Sequence, residues 1–217
     1  MADISDLKMT IVTNDPTKRY YYTLLFDDKY RVKIATRNIN IPGVQNFRDL
    51  GGYPSYSTKK QMRWGMIYRS AEIDSLECSS RRELKNLGIK TLIDLRASSE
   101  IGRQSPLQKG FNVVHIPLAT GDMEGILKGI REEKIKSDTV YRMVERMNRI
   151  LIDQYTKEYR QIFDILLDKN SYPVVIHCSS GKGRTGIVSA LVLAALGINE
   201  DIIMELSLIH ISEPTRL

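Results

Sequence analysis

Several features that would identify a secreted, metal-binding or membrane-spanning protein are absent from the sequence. Cys78 and Cys178 are the only cysteines among 217 residues, and their wide separation suits neither a disulfide framework nor a zinc site. No stretch of about 18 apolar residues is present, so no transmembrane segment is expected. Residues 1–16 lack the apolar core of a signal peptide. A reducing, cytoplasmic location is therefore the expectation.

Long runs of lysine or arginine are also absent, although the chain as a whole is basic. It carries 32 lysines and arginines against 26 acidic residues, which gives a formal net charge of +6 and a pI of about 9.2. An excess of positive charge favours acidic partners such as phosphorylated substrates, nucleic acid or an anionic membrane. Because no basic run is long enough for a nucleic-acid-binding tail, phosphorylated molecules are the expected partners and nucleic acid is not.

The first 40 residues differ in pattern from the rest of the chain. Residues 20–25 and 30–35 are rich in β-branched and aromatic side chains, and Asp27 and Asp28 lie between them. This pattern predicts a β-hairpin. Because an isolated hairpin is only marginally stable in water, there are two interpretations of residues 1–40. They either pack on the domain that follows or form the end of a larger, truncated β-domain.

From residue 46 onwards, strand and helix patterns alternate. Buried strands are predicted over residues 91–95, 111–116 and 174–176, and helices over residues 140–151, 159–166 and 184–196. A capping box of Ser80 and Glu83 is expected to open a further helix, which Gly88 ends. The alternation predicts an α/β fold, with a central and largely parallel sheet flanked by helices, over residues 41–205.

The most informative segment lies between the last predicted strand and helix. Residues 177–186 read His-Cys-Ser-Ser-Gly-Lys-Gly-Arg-Thr-Gly. Backbone N–H groups at the start of a helix favour a bound anion, and glycines at 181 and 183 let the chain curl so that successive N–H groups face one centre. We therefore expect a phosphate site here, and the residues expected to bind substrate are Ser179, Ser180, Gly181, Lys182, Gly183 and Thr185.

Cys178 and Arg184 are the candidate catalytic residues of this segment. A cysteine at the rim of an anion site feels the same positive field, which stabilises the thiolate, and the thiolate is the nucleophilic form. Arg184 can reach back across the loop, and its planar guanidinium matches two phosphate oxygens. These residue types at this spacing predict nucleophilic attack on a phosphate monoester, with no metal and no cofactor required.

The spacing of Cys178, Arg184 and Thr185 resembles the signature loop of the protein tyrosine phosphatase superfamily. Three other segments resemble motifs of the atypical bacterial tyrosine/serine phosphatases: residues 46–53 (Asn-Phe-Arg-Asp-Leu-Gly-Gly-Tyr), 68–71 (Tyr-Arg-Ser-Ala) and 93–96 (Ile-Asp-Leu-Arg). The resemblance implies the tyrosine-phosphatase α/β fold, a phosphocysteine on Cys178, and equatorial oxygens held by Arg184.

The resemblance also implies supporting roles around the loop. It implies that His177 braces the loop and that Thr185 helps the thiolate to leave in the hydrolytic step. It further implies that Arg48 and Asp49 shape the wall of the site.

The sequence departs from the bacterial family at one position of the loop. Many members carry Asp immediately before the loop arginine, whereas this chain has Gly183, so an acid at that position is lacking. The run Gly-Lys-Gly-Arg-Thr-Gly also resembles the loop of tensin-type phosphoinositide phosphatases, in which the lysine supplies charge for a polyphosphorylated ring. Lys182 therefore either serves inositol phosphates or phosphoinositides, or is a solvated loop lysine.

Hydrolysis also needs a general acid to protonate the leaving oxygen. In the superfamily this acid usually lies on a loop after the strand that precedes the helical region, and residues 119–137 are the corresponding polar segment here. Asp122 is the favoured candidate and Glu124 the second. Asp94 is a rival, but its place at the end of a strand next to Arg96 favours an ion pair instead.

The expected function is that of a cysteine-dependent phosphomonoester hydrolase. Its expected substrate is protein phosphotyrosine, with phosphoserine and phosphothreonine as further options. The alternative within this class is an inositol-phosphate or phosphoinositide phosphatase. An alternative from another class is a phosphate-binding pseudophosphatase, which the intact Cys178 and Arg184 disfavour.

The last residues break the pattern of the domain. Residues 199–205 look like the start of a helix, but residues 206–216 closely resemble the translation of a transposase adapter used in sequencing libraries. Residues 206–217 are therefore interpreted as a non-native tail and the phosphatase domain as truncated at its C-terminus. The alternative is a genuine short amphipathic tail.

Overall fold

The structure of the chain is a computed structural model that describes residues 10–13, 19–27, 29–73, 78–101, 110–119, 129, 132 and 137–205. Two compact units are present, Met1–Thr36 and Arg37–Leu217, and each is described by itself. The predicted tail, residues 206–217, lies outside the described residues, as does most of the polar segment 119–137.

The first unit contains the predicted β-hairpin. Strands β1 (Tyr21–Phe26) and β2 (Tyr30–Ala35) pair antiparallel, with Phe26 opposite Tyr30. Side chains alternate between the two faces of a strand, so one face of the hairpin carries only apolar and aromatic pairs: Tyr22–Ile34, Leu24–Val32 and Phe26–Tyr30. The opposite face is mixed, and there Lys33 lies over the ring of Tyr21. The β-prone composition of both strands and this two-faced pairing explain the hairpin.

The second unit is built on a five-stranded sheet in the order β3-β4-β7-β5-β6. Its strands are β3 (Arg48–Asp49), β4 (Ile67–Ser70), β5 (Thr91–Asp94), β6 (Asn112–His115) and β7 (Val174–His177). Only β3 runs antiparallel to its neighbour, whereas β4, β7, β5 and β6 are parallel. The expectation of a central, largely parallel sheet is confirmed.

Four helices with assigned bounds belong to the described part of this unit. They are α1 (Cys78–Asn86), α2 (Ser137–Gln154), α3 (Thr156–Leu167) and α4 (Gly183–Ala195), with single 3₁₀ turns at Ser98–Glu100 and Lys169–Ser171. Residues 200–205 begin a further helix. No helix among the described residues is both long and apolar enough to cross a bilayer.

The capping box expected at Ser80 is wrong. The helix α1 already begins at Cys78, so Ser80 lies inside its first turn and not before it. The Ser80 side chain is fully buried, and its hydroxyl donates a hydrogen bond to the carbonyl oxygen of Pro42 at 2.5 Å. A tertiary contact therefore uses the hydroxyl that the local pattern assigned to a helix cap.

Alternation along the central strands divides the core into two layers. On one face, Ile67, Ile93 and Ile176 belong to a cluster with side chains of α2, α3 and α4, such as Leu151, Ile162 and Val188. On the other face, Tyr68, Leu92 and Val175 pack with Leu84 of α1 and with Ile41, Val44 and Phe47 of the preceding segment. Both faces of β4, β5 and β7 are buried, which is why β5 and β7 read as largely apolar rather than as alternating sequences.

The parallel strands place the end of β7 at the centre of one sheet edge. Ser70, His177 and Asp94 occupy the last paired positions of β4, β7 and β5, and they form a row across the sheet. In open parallel sheets, ligands bind beyond the carboxyl ends of the strands. The chain leaves β7 at this edge and enters α4. The connection between β7 and α4 is therefore where a ligand is expected to bind.

Candidate functional site

The phosphate loop, residues 178–184, joins β7 to the first residues of α4. Cys178 follows directly on β7 and only 1% of its surface is exposed, whereas Ser179 is half-buried and Ser180 is exposed. Lys182 is the cap residue of α4, which begins at Gly183. The predicted order of strand, loop and helix is confirmed, and it brings the helix N-terminus to the carboxyl edge of the sheet.

Gly181 allows the loop to pass directly against the end of β4. Its φ is +67°, and a Cβ atom at this position would lie 2.5 Å from the backbone of Ser70 and Ala71. On the same side, the N–H of Glu72 donates to the carbonyl oxygen of Ser179 at 3.2 Å. A side chain at 181 would both strain the backbone and collide with main-chain atoms that cannot move independently.

Two side chains from earlier segments hold the carbonyl groups of the loop. Asn46 donates from Nδ2 to the carbonyl oxygens of Gly181 at 3.0 Å and Ser180 at 3.4 Å. Arg69 donates from Nη2 to the carbonyl oxygens of Gly181 at 2.7 Å and Lys182 at 3.3 Å. Both residues lie in motifs quoted above for their resemblance, but the sequence analysis assigned a role to neither.

Arg184 is held by a carboxylate that the sequence analysis also missed. Nη1 of Arg184 lies 2.6 Å from Oε2 of Glu100, and Nη2 lies 2.7 Å from Oε1. Glu100 also accepts from the Ser179 hydroxyl at 2.5 Å and from the N–H of Ala97 at 2.7 Å. Glu100 therefore links the 3₁₀ turn after β5 to both ends of the phosphate loop.

The electrostatics of this contact favour the charged forms of both partners. Burial disfavours a charge on Glu100, but hydrogen bonds from Arg184, Ser179 and Ala97 outweigh it and lower the pKa of Glu100 to about 2. Burial likewise opposes the charge on Arg184, yet its hydrogen bonds with Glu100 and the proximity of Cys178 raise the pKa of Arg184 above its ordinary value. The pair is ionised at neutral pH.

Asp94 forms the ion pair that the sequence favoured. Its carboxylate accepts from Nη2 of Arg96 at 2.7 Å and from Nε at 3.0 Å, and Arg96 is 1% exposed. Burial alone would raise the pKa of Asp94, but these hydrogen bonds and the nearby His177 lower it. His177 is fully buried, with Nδ1 3.9 Å from Asp94. An acid held in its ionised form is a poor proton donor, so Asp94 does not suit the role of general acid.

The Asp49 carboxylate contacts main-chain groups in the turns that precede β4. Asp49 is fully buried, and its carboxylate accepts from the N–H groups of Gly51 and Gly65, each at 2.7 Å. Its neighbour Arg48 is nearly buried and lies opposite Arg69 in the antiparallel pair β3–β4. The structure thus places Arg48 beside a residue that contacts the loop, and Asp49 against the turns that lead into β4.

The remaining candidates differ in how far the structure describes them. Asp122 and Glu124 lie outside the described residues. Thr185 is fully buried, and its hydroxyl makes no hydrogen bond with a described residue. Lys182 is half-buried, and neither a hydrogen bond nor an ion pair joins its ammonium group to the described part of the chain.

Residues 39–205 match the model that defines a tyrosine phosphatase family. The chain is 31% identical over 186 residues to the triple specificity protein phosphatase PtpB of Mycobacterium tuberculosis, across 76% of this chain and 66% of that protein. It is 25% identical over 133 residues to a tyrosine-protein phosphatase of Nostoc commune, across 60% and 43%. The Siw14 catalytic core aligns at a TM-score of 0.44 and 15% identity, over 65% of this chain and 68% of that one. The chain spans no more than about two thirds of the length of these curated relatives.

The two glycines of the loop give a matched test of its geometry. Gly181→Ala is expected to disrupt the loop, because its Cβ would meet the backbone of Ser70 and Ala71. Gly183→Ala is the control, since no atom of the described residues, apart from the adjoining backbone, lies within 4 Å of a Cβ there. We expect Gly181→Ala to weaken binding of tungstate, a phosphate analogue, by about tenfold or more, measured by calorimetry, and Gly183→Ala to bind as the parent does. Equal affinity in both variants would contradict the described loop.

Proposed function

Because the chain belongs to the tyrosine phosphatase family, we propose that it hydrolyses phosphate monoesters through a phosphocysteine on Cys178. The proposed substrate is phosphotyrosine in proteins, with phosphoserine and phosphothreonine as further options. The observation that carries the proposal is the arrangement of the loop itself. Cys178 lies at its start, Arg184 at its end, and its carbonyl groups are engaged by Asn46 and Arg69, which leaves the opposite side of these peptides for an anion.

In the first step, the Cys178 thiolate attacks phosphorus, an S–P bond forms, and the P–O bond to the substrate breaks. The backbone N–H groups of the loop and the guanidinium of Arg184 hold the nonbridging oxygens. Glu100 occupies the edge formed by Nη1 and Nη2 of Arg184, so the proposed phosphate contact is the edge that contains Nε. Glu100 would thus fix the orientation of Arg184 before the substrate arrives.

The leaving oxygen departs with a proton from a general acid, for which we propose Asp122. Two described carboxylates near the loop, Glu100 and Asp94, do not suit this role, because both are held ionised by arginines. An acid from the segment around residue 122 would come from the chain between β6 and α2, beside β5 in the sheet order. Glu124 is the second candidate.

In the second step, water attacks phosphorus, the S–P bond breaks, and inorganic phosphate and the thiolate are released. We propose that the Thr185 hydroxyl donates a hydrogen bond to the departing sulfur, since this buried hydroxyl has no other partner among the described residues. The same Asp that donated its proton would accept one from the water. A reducing compartment protects a reactive thiolate from oxidation, so we further propose that the protein acts in the cytoplasm.

Lys182 supports a second substrate class, inositol phosphates or phosphoinositides. Its half-buried side chain lies at the loop, and no described residue neutralises its charge. A second phosphate on the substrate ring would supply the missing counter-charge. A phosphotyrosine side chain carries no second phosphate. Lys182 should therefore contribute to binding of a polyphosphorylated ring but not of phosphotyrosine.

The nucleophile is tested by comparing the two cysteines. Cys178→Ser should lose turnover of an aryl phosphate by several orders of magnitude, because a serine hydroxyl is a far weaker nucleophile at neutral pH. It should still bind tungstate, since the loop N–H groups and Arg184 remain. Cys78→Ser, which changes an exposed cysteine on α1, is the control and should turn over normally. Turnover retained by Cys178→Ser would reject the mechanism, and a parent chain that binds tungstate without turnover would be a pseudophosphatase.

The general acid is tested through the leaving group. Asp122→Asn should slow hydrolysis of phosphotyrosine, whose leaving group needs a proton, far more than hydrolysis of a strongly activated aryl phosphate. Glu124→Gln is the matched control and should show no such difference. The ratio of kcat/KM values for the two substrates is the measurement, because kcat/KM reports the step that expels the leaving group and excludes the later hydrolysis common to both substrates. An unchanged ratio in Asp122→Asn together with a changed one in Glu124→Gln would assign the role to Glu124.

The substrate class is tested at Lys182. If the lysine serves a polyphosphorylated ring, Lys182→Ala should lower kcat/KM for inositol phosphates about tenfold more than for a phosphotyrosine peptide. Lys169→Ala changes a lysine in the 3₁₀ turn before β7, at the opposite end of that strand, and should affect neither substrate. Equal losses on both substrates would remove the reason for the inositol alternative.

A further inference from the structure

Arg69 is a buried cation with no carboxylate partner among the described residues. Its side chain is 1% exposed, and the carbonyl oxygens of Gly181 and Lys182 accept its only hydrogen bonds within the described chain. Nε and Nη1 are buried without a hydrogen-bond partner there. Removing a charge from water without pairing it is unfavourable, so burial of this arginine needs a compensating interaction.

The sheet places Arg69 under the phosphate loop. Arg69 lies opposite Ile176 of β7 in parallel register, and side chains at paired positions point to the same face. Cys178 is two residues beyond Ile176 and belongs to the same core cluster. A Cβ at Gly186, in the first turn of α4, would lie 3.6 Å from Nη2 of Arg69. The guanidinium therefore sits between the sheet and the start of α4, behind the loop.

The two carbonyl contacts fix the direction of two N–H groups. The peptide bonds of the loop are trans, and in a planar trans peptide the C=O and N–H groups point in opposite directions. With the carbonyl oxygens of Gly181 and Lys182 turned towards Arg69, the N–H groups of Lys182 and Gly183 point away from it. Successive N–H groups that point to one side are what forms an anion site.

We propose that Arg69 is a positioning residue for phosphate binding: it holds the Gly181 and Lys182 carbonyl groups behind the loop, so that the N–H groups of Lys182 and Gly183 face the anion, and its unmatched charge adds to the attraction. Asn46 shares the task at Gly181, whose carbonyl oxygen accepts from both side chains. The inference rests on the proposed function, since it concerns how the same loop binds phosphate.

The positive charge of Arg69 can attract the anions that take part in the proposed reaction. Burial, followed by the charge of Arg48, lowers the pKa of Arg69 to about 10, so the guanidinium is still a cation at neutral pH. The anions that come near it are the Cys178 thiolate and the phosphate of the substrate. A cation left without a carboxylate offers its full charge to these anions, whereas a paired cation would not.

Oxyanion binding in the Cys178→Ser background tests the inference without relying on turnover. Arg69→Met keeps the length and apolar stem of the side chain but removes its donors and its charge. We expect it to weaken tungstate binding by about tenfold or more, measured by calorimetry, because charge-assisted hydrogen bonds of this kind are among the strong ones. Its melting temperature should stay close to that of the parent. The substitution removes a buried unpaired charge, and both carbonyl groups keep a donor, because Asn46 still donates to Gly181 and the N–H of Gly186 still donates to Lys182.

Arg37→Met is the matched control. Arg37 also donates to two carbonyl oxygens, those of Asp49 and Gly51, but neither belongs to the phosphate loop. Its loss should leave tungstate affinity unchanged, whatever it does to stability. A purely structural role for Arg69 would instead lower its melting temperature and affinity together, and parent-like affinity in Arg69→Met would overturn the inference while the proposed function stood.

Two further variants keep the test decisive. Arg69→Lys retains the charge, but the lysine side chain is shorter and its ammonium falls short of the position of Nη2, the one nitrogen that donates to both carbonyl groups. It should therefore bind tungstate more weakly than the parent. If Arg69→Met does not fold, parent-like affinity in Arg69→Lys overturns the positioning role.

Asn46→Ala and Arg69→Met act on the same carbonyl group, so their combined loss of affinity should fall short of the sum of the single losses. If the Cys178→Ser parent itself binds no tungstate, the proposed function fails first and the inference with it.

Discussion

A loop that turns its N–H groups towards an anion must turn its carbonyl groups into the protein, and the rest of this site depends on donors being present to receive them. Here they come from two separate segments, through Asn46 and Arg69. Buried carbonyl groups without partners would favour other conformations of the loop. The segments that supply the donors are therefore as much a part of the loop as residues 178–184 themselves.

The central sheet keeps two groups of charged side chains on opposite faces, although the sequence does not distinguish them. Arg69 lies on the face of the sheet that also carries Ile176 and the start of α4, together with Cys178. Asp94 and His177 lie opposite each other on the other face, where Arg96 neutralises the aspartate. The Asp94 carboxylate is thereby paired on the face of the sheet opposite Arg69, and the cation on the first face is left for an incoming anion.

The features that sequence analysis predicted correctly are local ones. Hydrophobic periodicity located β5, β6, β7 and the helices, and the loop motif placed Cys178 and Arg184 because a strand, a turn and a helix follow one another within a few residues. The contact of Glu100 with Arg184 spans 84 positions, and that of Arg69 with Gly181 spans 112. No periodicity connects such positions, and only the order of strands in the sheet brings them together. The prediction at Ser80 is wrong for a related reason. The Ser80 hydroxyl binds the carbonyl oxygen of Pro42, a residue distant in sequence, instead of capping the local helix.

The two loop glycines differ in how much space surrounds them, and this difference determines where the sequence of the site can change. Gly181 is confined by main-chain atoms, whereas around a Cβ at 183 the described part of the chain, apart from the adjoining backbone, leaves 4 Å of space. A side chain at position 181 is therefore incompatible with this loop conformation, whereas one at position 183 is sterically tolerated. The resemblance described above implies aspartate in many members of the bacterial family where this chain has Gly183. A single codon change could thus add or remove a carboxylate beside the phosphate without rebuilding the backbone, which makes this position a place where related enzymes can acquire different chemistry on one scaffold.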